Sequence, residues 1–187
     1  MKTYAIEIFF NKEFDLYVRE LWKLCHEKNL SSFMNSVQGT EPHIALALYG
    51  DIEQLNLVEK FREFTQYDLN EFELHFDAVA IFPQSMVTYL QPNSTREFTG
   101  LMTKIHKFFQ EFEEYCNPYY APGRWFPHTS IGKNNSLEEG LKTINYIIGR
   151  FKPQIARATR LVLVEIDKGE NNISCRNLLT KELKKTT

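Results

Sequence analysis

The chain is poor in what several large classes of protein depend on. Its three cysteines, Cys25, Cys116 and Cys175, are odd in number, far apart and in no C-x-x-C arrangement. They encode no disulfide framework, and buried thiols in a reducing compartment are the expectation. Its eight glycines form neither G-x-G-x-x-G nor G-x-x-x-x-G-K, so the loops that cradle nucleotide phosphates for ATP-driven chemistry are missing. No H-E-x-x-H or clustered Cys/His spacing offers a metal site. No apolar run approaches the roughly 18–20 residues needed to span a bilayer. Tyr4-Ala5-Ile6-Glu7-Ile8-Phe9-Phe10 is broken by Glu7 and followed by no small-residue cleavage site, so it reads as a strand and not as a secretory leader. A cytoplasmic protein with no cofactor, no metal, no membrane and no obligate protein partner is expected.

What is present is the composition of a folded protein: 187 residues, 43% hydrophobic and 25% charged, enough for one domain or two small lobes sharing a core. The net charge of −2 hides an asymmetry, with 7 Lys/Arg against 14 Asp/Glu in residues 1–92 and 15 against 10 in residues 93–187. Between Cys116 and Arg160, seven basic residues face only Glu138 and Glu139. Such a bias attracts a phosphate-bearing ligand to one side, or simply solvates a basic face, and is no surface for coating a long nucleic acid.

Hydrophobic period and end signals give strand 4–10, helix 13–29, strand 43–49, helix 52–66, strands 71–82 and 86–91, helix 94–115, strand 126–132, helix 136–150, strand 156–167 and a last strand near 172–180. Phe98, Leu101, Met102, Ile105, Phe108, Phe109 and Phe112 form a continuous stripe on the third helix. Ser94 with Glu97 and Ser136 with Glu139 offer capping boxes, and Asp51 a cap for the second helix, whose inward edge reads as Leu55, Val58 and Phe61. Both halves run strand, helix, strand, helix, strand, and an offset of 83 to 85 residues maps each element of the first onto the second. An internal duplication follows. The expected fold is α+β: a single bilobal domain over 1–187, with repeats near 1–83 and 84–168, two antiparallel sheets flanking a central cleft, and helices outside.

One motif recurs within that repeat. Pro42-His43-Ile44-Ala45-Leu46-Ala47 and Pro127-His128-Thr129-Ser130-Ile131-Gly132 place their histidines 85 residues apart. On regular strands His43, Ala45 and Ala47 share one face, as do His128, Ser130 and Gly132, while Ile44, Leu46, Leu48 and Ile131 point into a core. Two histidines above floors of small residues leave room for a ligand between them. One imidazole can accept a proton while an imidazolium donates one, which suffices for a phosphodiester displacement. Ser130, one pleat beyond His128, can hold a non-bridging phosphate oxygen. The irregular segment from Asn117 to Arg124 supplies Tyr119, Tyr120 and, just beyond it, Trp125 as base-stacking faces. Arg124 and Lys133 are further cations for phosphate. His26, His75 and His106 lack matching partners and read as structural.

With these residues the chain resembles the two-histidine phosphoesterase superfamily, whose signature is His, hydrophobic, Thr or Ser, hydrophobic, present twice. Within it the bacterial 2′-5′ RNA ligase-like group is closer still. The N-terminal strand, Pro42-His43, the boundary at Phe82-Pro83 and the approach from Tyr119 to His128 all fit, over nearly the whole chain. The resemblance implies metal-independent hydrolysis of 2′,3′-cyclic phosphates on RNA ends or small nucleotides, and in some relatives the reverse joining of RNA ends. The first motif departs from the signature at Ala45, where a hydroxyl is usual. That loss implies weakened phosphate binding, help from Lys133 or Tyr49, or a module that binds without turnover.

Overall fold

The computed structural model describes residues 2–170 and 172–185. The elements are β1 (Lys2–Phe10), α1 (Lys12–Glu27), a single turn α2 (Phe33–Ser36), β2 (His43–Gly50), α3 (Gln54–Phe64), β3 (Phe72–Phe82), β4 (Val87–Pro92), α4 (Arg96–Phe108), β5 (Thr129–Lys133), α5 (Leu137–Ile148), β6 (Gln154–Lys168) and β7 (Ile173–Glu182). Two 3-10 turns, Gln110–Tyr115 and Pro118–Tyr120, lie between α4 and β5. The third helix therefore stops earlier than its apolar stripe suggests, because the stripe continues through the tighter turn.

All strands are antiparallel neighbours in the order β2-β1-β6-β3-β4-β5, with β7 also on β6. The halves of the duplication interleave. Strand β6, the last of the second repeat, completes the β2-β1 ladder, and β3, the last of the first repeat, completes β5-β4. In place of the two expected antiparallel sheets there is one seven-stranded sheet, because long β6 pairs with β1 through Ala158–Asp167 and with β3 through Gln154–Ala158, and also carries β7 along Arg160–Lys168.

Even-numbered residues of β1 meet the helices: Ile6, Ile8 and Phe10 join Phe14, Val18 and Leu21 of α1 in the main core. Four side chains of α4, Phe98, Leu101, Met102 and Ile105, are buried, three of them (Phe98, Leu101 and Ile105) in the same core, each contributing about 1.5–3 kcal/mol of hydrophobic stabilisation. On α3 Phe61 is buried as expected and Val58 packs partly buried against the core, but Leu55 is exposed, and Leu57 and Phe64 complete the buried edge. Thr95, not Ser94, caps α4 by accepting from Phe98 N–H. Ser136 caps α5 by accepting from Glu139 N–H. Asp51 does not cap α3: it sits in the left-handed region at φ 52°, and the helix begins later, at Gln54.

β2 and β5 are the edge strands of this network, and they approach one another across its open side. Edge backbone groups must find partners elsewhere. On β2, Asn117 N–H donates to Leu48 O, and on β5 the Ser31 hydroxyl bonds both N–H and C=O of Lys133.

Candidate active site

The two histidines are built alike. Each follows a proline, and in each the ring Nδ1 lies against the carbonyl of the residue before that proline: His43 on Glu41 O at 2.7 Å, and His128 on Phe126 O at 2.8 Å. A carbonyl only accepts, so Nδ1 carries the hydrogen and Nε2 is left free for chemistry. Proline biases its predecessor toward extended backbone, which suits a carbonyl two residues back turned toward the ring.

The strict alternation expected on these strands fails at equivalent residues in both. In β2, Glu7 pairs with Ala45 and Ile6 with Ala47, leaving Leu46 as a bulge; in β5, Tyr89 pairs with Ser130 and Thr88 with Gly132, leaving Ile131. A bulge inverts the facing of every residue after it. His43 and Ala45 keep the cleft face, as do His128 and Ser130. Ala47 turns into the main core with Ile6, and Gly132 turns toward Ser31 and Thr143. Leu48, expected in the core, instead lines the cavity, and Tyr49 is buried against Phe109. Tyr49 is thereby removed as a phosphate ligand.

Both bulges are clamped from the opposite half. The Trp22 indole of α1 donates to Ser130 O at 2.9 Å, and the Trp125 indole donates to Ala45 O at 2.9 Å. His106 of α4 adds a bond from Nε2 to Leu46 O at 3.1 Å. The position two residues after each catalytic candidate is thus held by an indole, and His106 has the structural role expected of it.

Beside His128 lies a cavity of about 480 Å³, lined by Leu48, Phe82, Tyr119, Tyr120, Arg124 and Trp125 among others, a size suited to a small organic ligand. Arg124 and Tyr119 are both in its wall, the guanidinium 5.2 Å over the exposed phenol ring. Tyr120 reaches between the halves, its hydroxyl pushed up to about 12 by burial and then by the negative charge of Glu7. Trp125 contributes a wall, but its N–H is committed to Ala45 and its ring packs edge-on against Phe98. Ser130 stands beside Tyr89 on the cleft face. Lys133 is not in the cavity wall; its ammonium rests 5.4 Å over the Phe33 ring. Thr129 points into the core and is fully buried.

The electrostatics of the two histidines differ. His128 is enclosed by rings, Phe82 at 5.0 Å and Tyr89 at 5.4 Å, with Phe126 against both. Burial depresses its pKa below the ordinary 6.5, the bond to Phe126 O partly opposes this, and the charge of His43 depresses it further. His43 instead faces a carboxylate: its Nε2 is 3.5 Å from Glu7 Oε1. Glu7 is buried, and desolvation raises its pKa against the lowering effect of His43, with Glu41 adding to the rise. The sequence reading assigned neither Glu7 nor Tyr89 to the site. The available signal was a charged residue inside an otherwise apolar strand. Part of the basic excess of the second half is already paired away from the cavity, Arg160 on Glu41, Lys142 on Glu138 and Arg157 near Glu73.

This duplicated, two-histidine architecture defines a phosphoesterase class, and comparison with known proteins places the chain in it. A family model described as the 2′-5′ RNA ligase superfamily matches residues 13–170, and the chain belongs to that family, the two-histidine phosphoesterases. Among solved structures, E. coli LigT complexed with 3′-AMP is 14% identical, with a TM-score of 0.69 over 97% of this chain and 98% of that one. TT0787 of Thermus thermophilus is 13% identical, with a TM-score of 0.66 over the full length of both chains. A crystal structure described only as a phosphoesterase is 12% identical, with a TM-score of 0.66 over 98% of this chain and 99% of that one. These likenesses show the fold. No curated protein matches the chain in sequence. Among the described residues, no helix is long and apolar enough to cross a membrane.

Proposed function

We propose that the protein is a metal-independent phosphodiesterase that opens 2′,3′-cyclic phosphates on RNA ends or small nucleotides. The observation that supports this most is the matched pair of imidazoles, each with Nδ1 tied to a carbonyl so that Nε2 is the reactive nitrogen, on two edge strands that meet beside an aromatic cavity. Water attacks phosphorus as one histidine takes its proton, and the other protonates the ribose oxygen that leaves, giving a phosphomonoester and a free hydroxyl. The Ser130 hydroxyl donates to a non-bridging oxygen. Arg124 and Tyr119 hold the phosphate and base of the nucleotide. LigT has been crystallised with 3′-AMP, NADP+ and ATP, which agrees with a nucleotide in the corresponding cavity here.

A second reading is favoured by one feature, the methyl of Ala45 beside the Glu7 carboxylate where a hydroxyl donor is usual. On that reading the cleft binds a nucleotide end without turning it over. Phosphorus NMR of 2′,3′-cyclic nucleotides and a cyclic-phosphate-ended oligonucleotide, with chelator present, separates the two. The expected result is ring opening to one monoester isomer, reduced roughly a thousandfold in both His43→Ala and His128→Ala. An intact ring beside saturable binding establishes the binding module, and full activity in either variant removes the two-histidine mechanism.

A further inference from the structure

Resting on that reading, we propose that Glu7 is a positioning residue that keeps a proton on His43 Nε2, making His43 the arm that protonates the leaving oxygen and His128 the arm that accepts the proton of water. The two motifs are interchangeable in sequence, and the register of their neighbours is what distinguishes them. In the first arm, Glu7 stands beside Ala45; in the second, Tyr89 stands beside Ser130. Glu7 and Tyr89 thus occupy equivalent places on β1 and β4, each one strand in from a histidine. One arm has a carboxylate beside an alanine; the other has an aromatic wall beside a serine hydroxyl.

Glu7 is 4% exposed, and its one ion-pair partner among the described residues is His43, at 3.5 Å. That distance suits an ion pair but is long for a hydrogen bond, so Nε2 is faced by the carboxylate and still open to the substrate. The other titratable groups facing Glu7 do not neutralise it. Tyr120 and Cys175 are protonated neutral groups whose ionisation Glu7 opposes. Glu41 already holds Arg160 at 2.8 Å and Asn177 at 3.1 Å. Burial first, and then the His43 charge from across the cleft, lowers the His128 pKa, the direction a base needs. In the reaction the P–O bond to the leaving ribose oxygen breaks as that oxygen takes the Nε2 proton of His43, and the new P–O bond forms as water gives its proton to His128. Exchange with solvent then returns both rings to their starting states.

The test is Glu7→Gln in the full chain, which keeps the shape of the side chain and removes its charge. With a 2′,3′-cyclic nucleotide, the alkaline limb of the kcat/KM profile is expected to move to lower pH, and the rate at pH 8 to fall roughly tenfold to a hundredfold. With a nitrophenyl phosphodiester, whose leaving group needs no proton, the fall is expected to be under about threefold by the same reasoning. The nitrogen-15 shift of His43 Nε2 at pH 7 is expected to move toward the unprotonated value in Glu7→Gln, a readout that needs no turnover. An unchanged alkaline limb, equal losses on both substrates, or an unchanged Nε2 shift each overturns the role of Glu7. Failure of the wild-type protein to open any cyclic phosphate overturns the proposed activity instead, and the NMR comparison distinguishes the two failures.

Discussion

Replacing Trp125 with phenylalanine removes one hydrogen bond and tests how the site is held. The indole N–H reaches Ala45 O at 2.9 Å, and the ring packs edge-on against Phe98 at 5.1 Å. Phenylalanine keeps most of that packing and loses the donor. A hydrogen bond of this kind contributes about 1 kcal/mol net, and a carbonyl left unpaired adds part of a desolvation penalty of about 1–3 kcal/mol. The expected loss is therefore about 1–2 kcal/mol, or roughly 3–6 °C in melting temperature for a domain of this size. Ala45 lies two residues from His43 on an edge strand, so its displacement moves the imidazole, and small misplacements cost disproportionately in rate. Turnover is expected to fall about tenfold in kcat, with KM less affected. Trp22→Phe, which frees Ser130 O, is expected to behave the same way through His128. Since the two indoles hold different strands, their stability losses are expected to add to within about 0.5 kcal/mol. Calorimetry and single-turnover kinetics on the two variants and the double variant provide the comparison. Wild-type melting and wild-type turnover in Trp125→Phe would refute the clamp.

Ala45→Thr puts a hydroxyl on the cleft face next to Glu7; a hydrogen bond to charged phosphate contributes about 1.5–3 kcal/mol, so kcat/KM is expected to rise about tenfold or more, and no rise places the phosphate away from this strand. Burial holds the His128 pKa below 6.5, and a base works above its pKa, so the acid limb of the kcat/KM profile is expected below pH 6.5; a midpoint at or above 6.5 contradicts its assignment as base. Gly132→Ala sets a methyl 2.9 Å from Ser31 Cβ and 3.0 Å from Ser31 Oγ, the hydroxyl that ties β5, and is expected to cost about 1–3 kcal/mol by thermal melt. Gly100→Ala in α4 meets nothing within 4 Å and is expected to stabilise by about 0.5–1 kcal/mol in the same assay.

The parts of this fold that were legible from sequence are those governed by local period. Each expected strand and helix is present, with ends shifted by a few residues and the third helix ending at Phe108, because apolar spacing marks a buried face; the stripe from Phe98 to Ile105 is the clearest case. The two histidines were legible for a different reason, their recurrence at equal places in a repeat. What local pattern could not carry is register. A bulge at Leu46 or Ile131 leaves no mark in the order of residues, yet it decides that Leu48 lines the cavity and Tyr49 does not. Nor does composition reveal which cations are already engaged, so Lys133 read as a phosphate ligand although it leans on Phe33. The exchange of closing strands β3 and β6 between the halves is equally invisible locally, since it is set by pairing between residues far apart in the chain.

The duplication also explains why the site tolerates asymmetry. Each histidine needs only a carbonyl two residues back and a clamped bulge beyond it, and both halves supply these from backbone and from residues of the opposite half. The neighbouring inner strand is then free to differ between the halves, with a carboxylate at Glu7 and a phenol at Tyr89. That freedom has a thermodynamic cost on one side only. Because burial raises the Glu7 pKa, the folded state gains from its protonated form below the unfolded value of 4.5 and loses that gain as pH rises through the folded pKa. Glu7→Gln should therefore melt above the wild-type protein by a margin that grows from pH 4 to pH 8, as expected of a charge kept for function at the expense of stability. A margin that shrinks with pH would mean that the attraction to His43 outweighs desolvation, and that Glu7 holds the site together instead of straining it.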